Sequence, residues 1–242
     1  MILHRSSQSM APKVNIETFN TLPLADYRSK LWQHDTTVTH TRKDVSRTYN
    51  LSLESSSTLS DEDLTACFNL LTSTSSADYE ASSMGWSPAK KWKEMRLPDL
   101  RYIVLKRKED DKSLDWLPDV EGFLSFMLTY EDGYEVIYCY EIHLSPQLRG
   151  TGLGKRLMEM MEEVGKKARV EKAMLTVFKA NKAAMTFYER LGYKEDEYSP
   201  RPRKLRGGVV KEPDYMILSK RLAGESKSLT RKPGLVKKRK AR

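Results

Sequence analysis

The clearest chemistry in this chain lies in Arg149-Gly150-Thr151-Gly152-Leu153-Gly154-Lys155. An apolar strand, 136–144, runs into this basic, glycine-rich turn, and an amphipathic helix follows at once. Such a turn presents successive backbone N–H groups at a helix N-terminus, where the dipole favours an anion. Glycine lets the backbone come close to a bulky phosphate. A dinucleotide loop needs G-x-G-x-x-G, whereas Gly150, Gly152 and Gly154 read G-x-G-x-G. A P-loop needs glycine five places before its Gly-Lys pair and Ser or Thr after it. Arg149 and Arg156 stand there, which argues against Mg-nucleotide chemistry. What is left is R-x-x-G-x-G, a loop suited to a pyrophosphate, with an ordinary glycine-rich turn as the alternative.

Secondary structure must hold this loop in place. Ser60 caps a helix whose acidic first turn, Asp61-Glu62-Asp63, suits the dipole, and Leu64, Phe68 and Leu71 recur at helical spacing. A polar run, 72–76, leads to Tyr79-Glu80 and Gly85-Trp86. Ser87-Pro88 reads as a second cap, with its helix continuing through 90–95. From Leu100 the period changes to two. The stretch 101–105 reads as a strand and 110–118 as a charged loop; 122–130 and 134–144 read as strands joined by the hairpin signal Asp132-Gly133. The helix 152–168 turns Leu153, Leu157, Met160, Met161, Val164 and Ala168 to one face. A strand at 174–178, a helix at 181–191 ended by Gly192, a strand from Tyr193 and a strand at 215–218 complete the order. A crossover helix between Leu144 and Met174 makes the flanking strands parallel neighbours. The fold class is therefore α/β: a mixed central sheet with an antiparallel meander followed by a strand–helix–strand core.

At 242 residues there is room for one medium domain, placed at 21–222, with tails on either side. The polar stretch 1–20 reads as a disordered or docking arm. The net charge of +9 is unevenly placed: the tail 223–242 holds eight Lys or Arg against one Glu and reads as disordered. Its cluster at 231–240 suits a nuclear-import signal recognised by an importin, a nucleic-acid arm, or simply a solvated tail. A second basic stretch, 201–206, faces either phosphate or water. No apolar run approaches a membrane span, and the N-terminus lacks a signal-peptide core, so no membrane partner is expected. Cys67 and Cys139 sit in apolar patterns and read as buried free thiols, as in an intracellular protein. The four histidines show no ligand spacing, so no metal is expected.

In this order the motifs resemble the GNAT superfamily of N-acetyltransferases over about residues 95–222. Asn181, Tyr188, Gly192 and Tyr193, spaced N-x₆-Y-x₃-G-Y, are similar to its second coenzyme-binding segment. The resemblance implies acetyl-CoA as cosubstrate. Its pyrophosphate would lie on Arg149, Gly150, Thr151, Gly152, Leu153, Gly154 and Lys155, and its pantetheine along the backbone of Ile142, His143 and Leu144. Asn181 would meet pantetheine or phosphate, and Tyr188 would lie near the thioester sulfur. Tyr138-Cys139-Tyr140-Glu141, Leu175-Thr176-Val177-Phe178-Lys179, Tyr79-Glu80 before Gly85-Trp86, and Tyr215-Met216-Ile217-Leu218 sharpen the match. Over about 60–222 these resemble the branch that acetylates the N-terminal serine of histone H4 and histone 2A. That branch implies a monomer of nucleus and cytoplasm. It implies Glu141 as base, Tyr140 in catalysis and peptide binding, and Tyr79, Trp86, Thr129, Tyr138, Thr176 and Tyr215 at the peptide. Two positions depart from its pattern: Met84 stands where Trp is typical, and Thr129 where Asp is typical, with Glu131 and Asp132 following.

Acetyl transfer needs a neutral amine, and an α-amine has a pKa near 8. A carboxylate at the strand end, Glu141, can take that proton directly or through water. In a regular strand Tyr138 and Tyr140 face away from Cys139 and Glu141; a β-bulge would change that. Each role has a plainer alternative. Glu141 can serve as an ion-pair partner, the strand tyrosines and Tyr188 as packing, and the His143 ring as a bystander. A GNAT acting on lysine or a small amine, and a chromatin-binding module with an inactive fold, are the competing functions.

Overall fold

In this computed structural model, residues 16–42, 45–108, 119–204, 206 and 208–222 are described. The expectations for 1–15, for the charged loop 110–118 and for the tail 223–242 lie outside them. The chain begins with α1 (Ile16–Asn20) and α2 (Leu24–Leu31), then β1 (Thr37–Arg42) and β2 (Val45–Ser55). Next come α3 (Asp61–Glu80), α4 (Pro88–Glu94), and the meander β3 (Arg101–Arg107), β4 (Val120–Glu131) and β5 (Tyr134–Leu144). A 3₁₀ turn, Pro146–Leu148, leads to α5 (Leu153–Lys167), β6 (Lys172–Phe178) and α6 (Lys182–Arg190). Short strands β7 (Lys194–Glu195), β8 (Arg203–Lys204) and β9 (Val210–Lys211) precede β10 (Tyr215–Arg221).

Eight strands form one sheet in the order β1-β2-β3-β4-β5-β6-β10-β7. Among the described residues only β5 and β6 run parallel, as the α5 crossover requires. The two sheet faces carry different layers. On one, Leu157, Met158, Met161 and Val164 of α5 pack on Leu124, Phe126, Ile137 and Cys139, together with Tyr27 and Leu31 of α2 and Tyr188 of α6. On the other, Leu64, Cys67 and Leu71 of α3 pack with Met95 on Tyr102, Val104 and Phe123. The strand register 122↔144 to 131↔134 confirms the hairpin at Asp132-Gly133, whose backbones have φ of 48° and 86°.

Three local outcomes differ from the sequence-based expectation. The stretch 21–59, left without elements, supplies α2, the edge strand β1 and its neighbour β2. Ile16 is buried and Asn20 Nδ2 donates to the Leu128 carbonyl, so 16–20 belong to the domain rather than to an arm. The third is α3, which does not end at its polar run. The hydroxyls of Thr72, Ser73 and Thr74 donate back to the carbonyls of Phe68 and Leu70 at 2.7–2.9 Å. That internal bonding lets polar residues continue a helix to Glu80. It also carries Tyr79 to the sheet face where Glu141 lies.

Candidate active site

The site begins where two parallel strands part. β5 pairs β6 only from Val136↔Lys172 to Cys139↔Leu175. Beyond that point β5 keeps its bonds to β4, and β6 keeps its bonds to β10. A cavity of about 560 Å³ opens at the split, within the range of small-molecule sites.

A bulge then decides which side chains enter it. Ser125 pairs Glu141 but Phe126 pairs Cys139, so Tyr140 is the extra residue. The regular alternation expected from sequence is thereby reversed at one step. Tyr138, Tyr140, Glu141 and His143 all line the cavity, while the Cys139 side chain turns into the α5 core.

Glu141 is buried and fully engaged. Its Oε1 accepts from the Tyr79 hydroxyl at 2.8 Å and from Lys91 Nζ at 2.9 Å. Its Oε2 lies 2.8 Å from His143 Nε2. Lys91 also donates to Glu94 Oε1 at 2.7 Å and to the Tyr79 oxygen at 2.9 Å. Burial alone would raise the Glu141 carboxyl, but the bond and charge of His143 and the charge of Lys91 outweigh it and hold the group well below the usual carboxylate range. Burial pulls Lys91 down, and Glu141, Tyr79 and Glu94 together drive it above the usual lysine value. Both ions therefore persist at neutral pH.

Aromatic side chains form the walls. The Tyr79 ring stands edge-on to Phe178 at 5.1 Å and beside Trp86 at 5.6 Å. Tyr138 and Tyr140 meet edge to face at 5.6 Å, and the Tyr138 hydroxyl lies 2.6 Å from Thr176 Oγ1. Burial pushes the Tyr138 phenol up to about 12, against the opposing bond from Thr176. Tyr188 is buried at the cavity edge, and desolvation raises its phenol well above the ordinary value.

The other expected residues distribute as follows. Trp86 and Thr176 line the cavity; Thr129 and Tyr215 do not. Thr129 pairs Val136, two register steps outward from Met127↔Tyr138, and Tyr215 pairs Phe178 at the strand end. Asn181 lines it too, but its side chain is committed: Oδ1 caps α6 at Ala184 N, and Nδ2 donates to Asp78. The basic loop lies outside the cavity, at the N-terminus of α5. Gly150 and Gly152 have φ of 74° and 88°, a left-handed backbone that glycine adopts without strain. Arg149 and Lys155 are exposed there, whereas the Leu153 side chain is core, leaving only its N–H for a ligand. The backbone edge of Ile142, His143 and Leu144 has no β6 partner and leads from the cavity toward this helix end. An extended amide chain ending in a pyrophosphate fits that course: backbone edge first, then N–H groups and two cations.

Sequence inspection missed Lys91, Glu94 and Thr74, and took the His143 ring for a bystander. Lys91 had one visible signal: it lies four residues before the buried Met95, on the inner face of α4, where a lysine needs a counterion. Thr74 had none, since its value comes from contact with a strand 69 residues away.

Comparison with known proteins gives a consistent picture. Residues 64–193 match the Acetyltransferase (GNAT) family. N-alpha-acetyltransferase 40 of Saccharomyces cerevisiae is 33% identical over 167 residues, 59% of this chain and 55% of that protein. The match thus spans about half the length of that curated relative. Among solved structures, an acetyltransferase of the GNAT family from Staphylococcus aureus Mu50 superposes with a TM-score of 0.51 at 10% identity, covering 72% of this chain and 99% of that one. A Streptococcus mutans UA159 protein gives 0.50 at 20% identity, with the same coverage. At such identities the structures show a shared fold.

Proposed function

Since the chain belongs to the GNAT acetyltransferase family, we propose that it moves the acetyl group of acetyl-CoA to the N-terminal α-amine of a protein, with histone H4 and histone 2A tails beginning Ser-Gly-Arg-Gly as substrates. The observation that carries this is the buried Glu141 carboxylate at the strand split, walled by Tyr79, Tyr138 and Tyr140. Similarity to an N-alpha-acetyltransferase supports the choice of amine.

Acetyl-CoA supplies the activated acetyl thioester. The unpaired edge at 142–144 and the α5 N-terminus orient it, with Arg149 and Lys155 at its phosphates. The tyrosine walls exclude water and hold the peptide start in an extended form. Glu141, held strongly ionised, is a weak acceptor for an ammonium proton. It acts by accepting a hydrogen bond from the amine, or from a water beside it, and so aiming the lone pair. Tyr188, kept neutral by burial, is the donor nearest the expected sulfur.

The competing enzyme activity, on lysine, suits this site less well. A lysine amine near pKa 10.4 needs a stronger base than a carboxylate held this low. An inactive binding module would have no use for a pyrophosphate loop. Mass spectrometry of a Ser-Gly-Arg-Gly peptide with acetyl-CoA tests the proposal. The free peptide should gain acetyl at its α-amine, and the same peptide with a blocked N-terminus should stay unmodified; lysine acetylation of the blocked peptide overturns it. The Glu131–Asp132 corner of the hairpin is the acidic ground for the following arginine, in place of the Asp absent at Thr129. The basic cluster at 231–240 suits nuclear entry of such an enzyme.

A further inference from the structure

The His143 ring is buried between two polar partners. Its Nε2 lies 2.8 Å from Glu141 Oε2, and its Nδ1 lies 2.7 Å from Thr74 Oγ1. Proton counting constrains both contacts. A short contact to an ionised carboxylate requires a proton on Nε2. The Thr74 hydroxyl has one proton, and three acceptors lie in reach: the Leu70 carbonyl at 2.7 Å, the Leu71 carbonyl at 3.2 Å and His143 Nδ1 at 2.7 Å. With the hydroxyl turned to Leu70, Nδ1 must carry a proton of its own and the ring is a cation. With the hydroxyl turned to Nδ1, the ring is neutral, and the Leu70 carbonyl keeps the Ser73 hydroxyl at 2.9 Å. Two states therefore satisfy every group, and they differ by one proton and one hydroxyl rotation.

We propose that His143, with Thr74, is a positioning residue that sets how strongly Glu141 attracts the substrate amine. With a charged ring, Glu141 is held by two cations, Lys91 and His143. With a neutral ring it is held by Lys91 alone. A charged ring also balances the cluster of Lys91, Glu94, Glu141 and His143, whereas a neutral ring leaves one excess negative charge facing an incoming cationic N-terminus. Other titratable groups packed about this pair are Tyr79 and Asp78 from α3, Tyr102 from β3, Tyr138, Cys139 and Tyr140 from β5, and Tyr188 from α6. Desolvation raises Tyr79, Tyr102, Tyr138, Cys139, Tyr140 and Tyr188, which keeps them neutral, and Asp78 is taken up by Asn181. His143 is therefore the group in this shell for which two protonation states each satisfy the surrounding hydrogen bonds. The proposal rests on the transferase function above, because it concerns the carboxylate of that site.

The test has two arms. In the first, ¹⁵N-histidine-labelled full-length protein, without substrate, is titrated from about pH 5 to about pH 9 by NMR. The His143 signals, identified by their loss in His143→Gln, should show both ring nitrogens protonated at the acid end. One proton should then leave Nδ1 while Nε2 keeps its own. Thr74→Val removes the partner of Nδ1 in both states and should move that step away from its wild-type pH. In the second arm, kcat is measured with saturating acetyl-CoA and Ser-Gly-Arg-Gly peptide for wild type and His143→Gln. Gln bonds both neighbours but holds no extra proton. Ionisation of the substrate is common to both enzymes, so it cancels in their ratio. Wild type should lose roughly tenfold more turnover than the variant on the acid side. A single tautomer unchanged across the range, or a flat activity ratio, overturns the proposal. An inert peptide would count against the substrate assignment and leave the first arm to decide on His143.

Discussion

Replacing Lys91 with Met should cost far more than the loss of one surface charge. Lys91 and Glu141 are each about 8% exposed, and their charged atoms are 2.9 Å apart. At an effective dielectric of about 20, that separation corresponds to roughly 6 kcal/mol of attraction before desolvation. Desolvation offsets part of it, but the substitution leaves the Glu141 carboxylate buried without its cation. Breaking such a pair from one side typically costs about 3–5 kcal/mol. For a domain of this size, each kcal/mol lowers the melting temperature by roughly 2–4 °C, so Tm should fall by about 6–20 °C. The companion variant removes both charges: Lys91→Met with Glu141→Gln should recover at least about 2 kcal/mol, because the buried carboxylate that lacked its lysine is gone. Urea denaturation followed by circular dichroism, at neutral pH and moderate salt, measures all three proteins. A single-variant loss below about 1 kcal/mol, or a double variant as unstable as the two single variants added, would refute the buried-pair argument.

Three further outcomes follow from the same geometry. Glu141→Gln should lower kcat by roughly 10–100-fold, the worth of a hydrogen bond to a charged group, while coenzyme affinity, measured by calorimetry, stays within about twofold; full activity at neutral pH would remove Glu141 from the reaction. Because the Glu141 carboxyl is depressed in the folded state, its contribution to stability is present above the unfolded value near 4.3 and is lost as pH falls through the folded one. The stability gap between wild type and Glu141→Gln should therefore be widest near neutrality and narrow in acid, as acid-unfolding curves of the two proteins will show. Gly152→Asp places a side chain at φ 88° and a negative charge at the α5 N-terminus, and acetyl-CoA affinity should drop by at least about 100-fold; unchanged affinity in a folded variant would move the phosphate site elsewhere.

Much of this protein is written locally. The Ser60 and Ser87 caps, the Asp132-Gly133 hairpin, the α5 apolar stripe and the α5 N-terminal loop all depend on residues a few positions apart, so each is visible in the chain alone. Glu141, Tyr138, Tyr140 and Thr176 are brought together by motifs that resemble those of a known family; strand alternation alone sets the two tyrosines apart from Glu141. Long-range contact decided the rest. The bulge at Tyr140 comes from the pairing of β5 with β4, and it alone puts Tyr140 and Glu141 on the same side. The continuation of α3 through a polar run brings Thr74 and Tyr79 beside β5, although 69 and 62 residues separate them from His143 and Glu141. Lys91 becomes a buried cation only because α4 packs over the same carboxylate. The sequence alone thus determines that a basic glycine-rich loop, a carboxylate and a set of tyrosines share one α/β domain. The charge on that carboxylate, and the partners that hold it, exist only after folding, because burial and opposing ions act through space rather than along the chain.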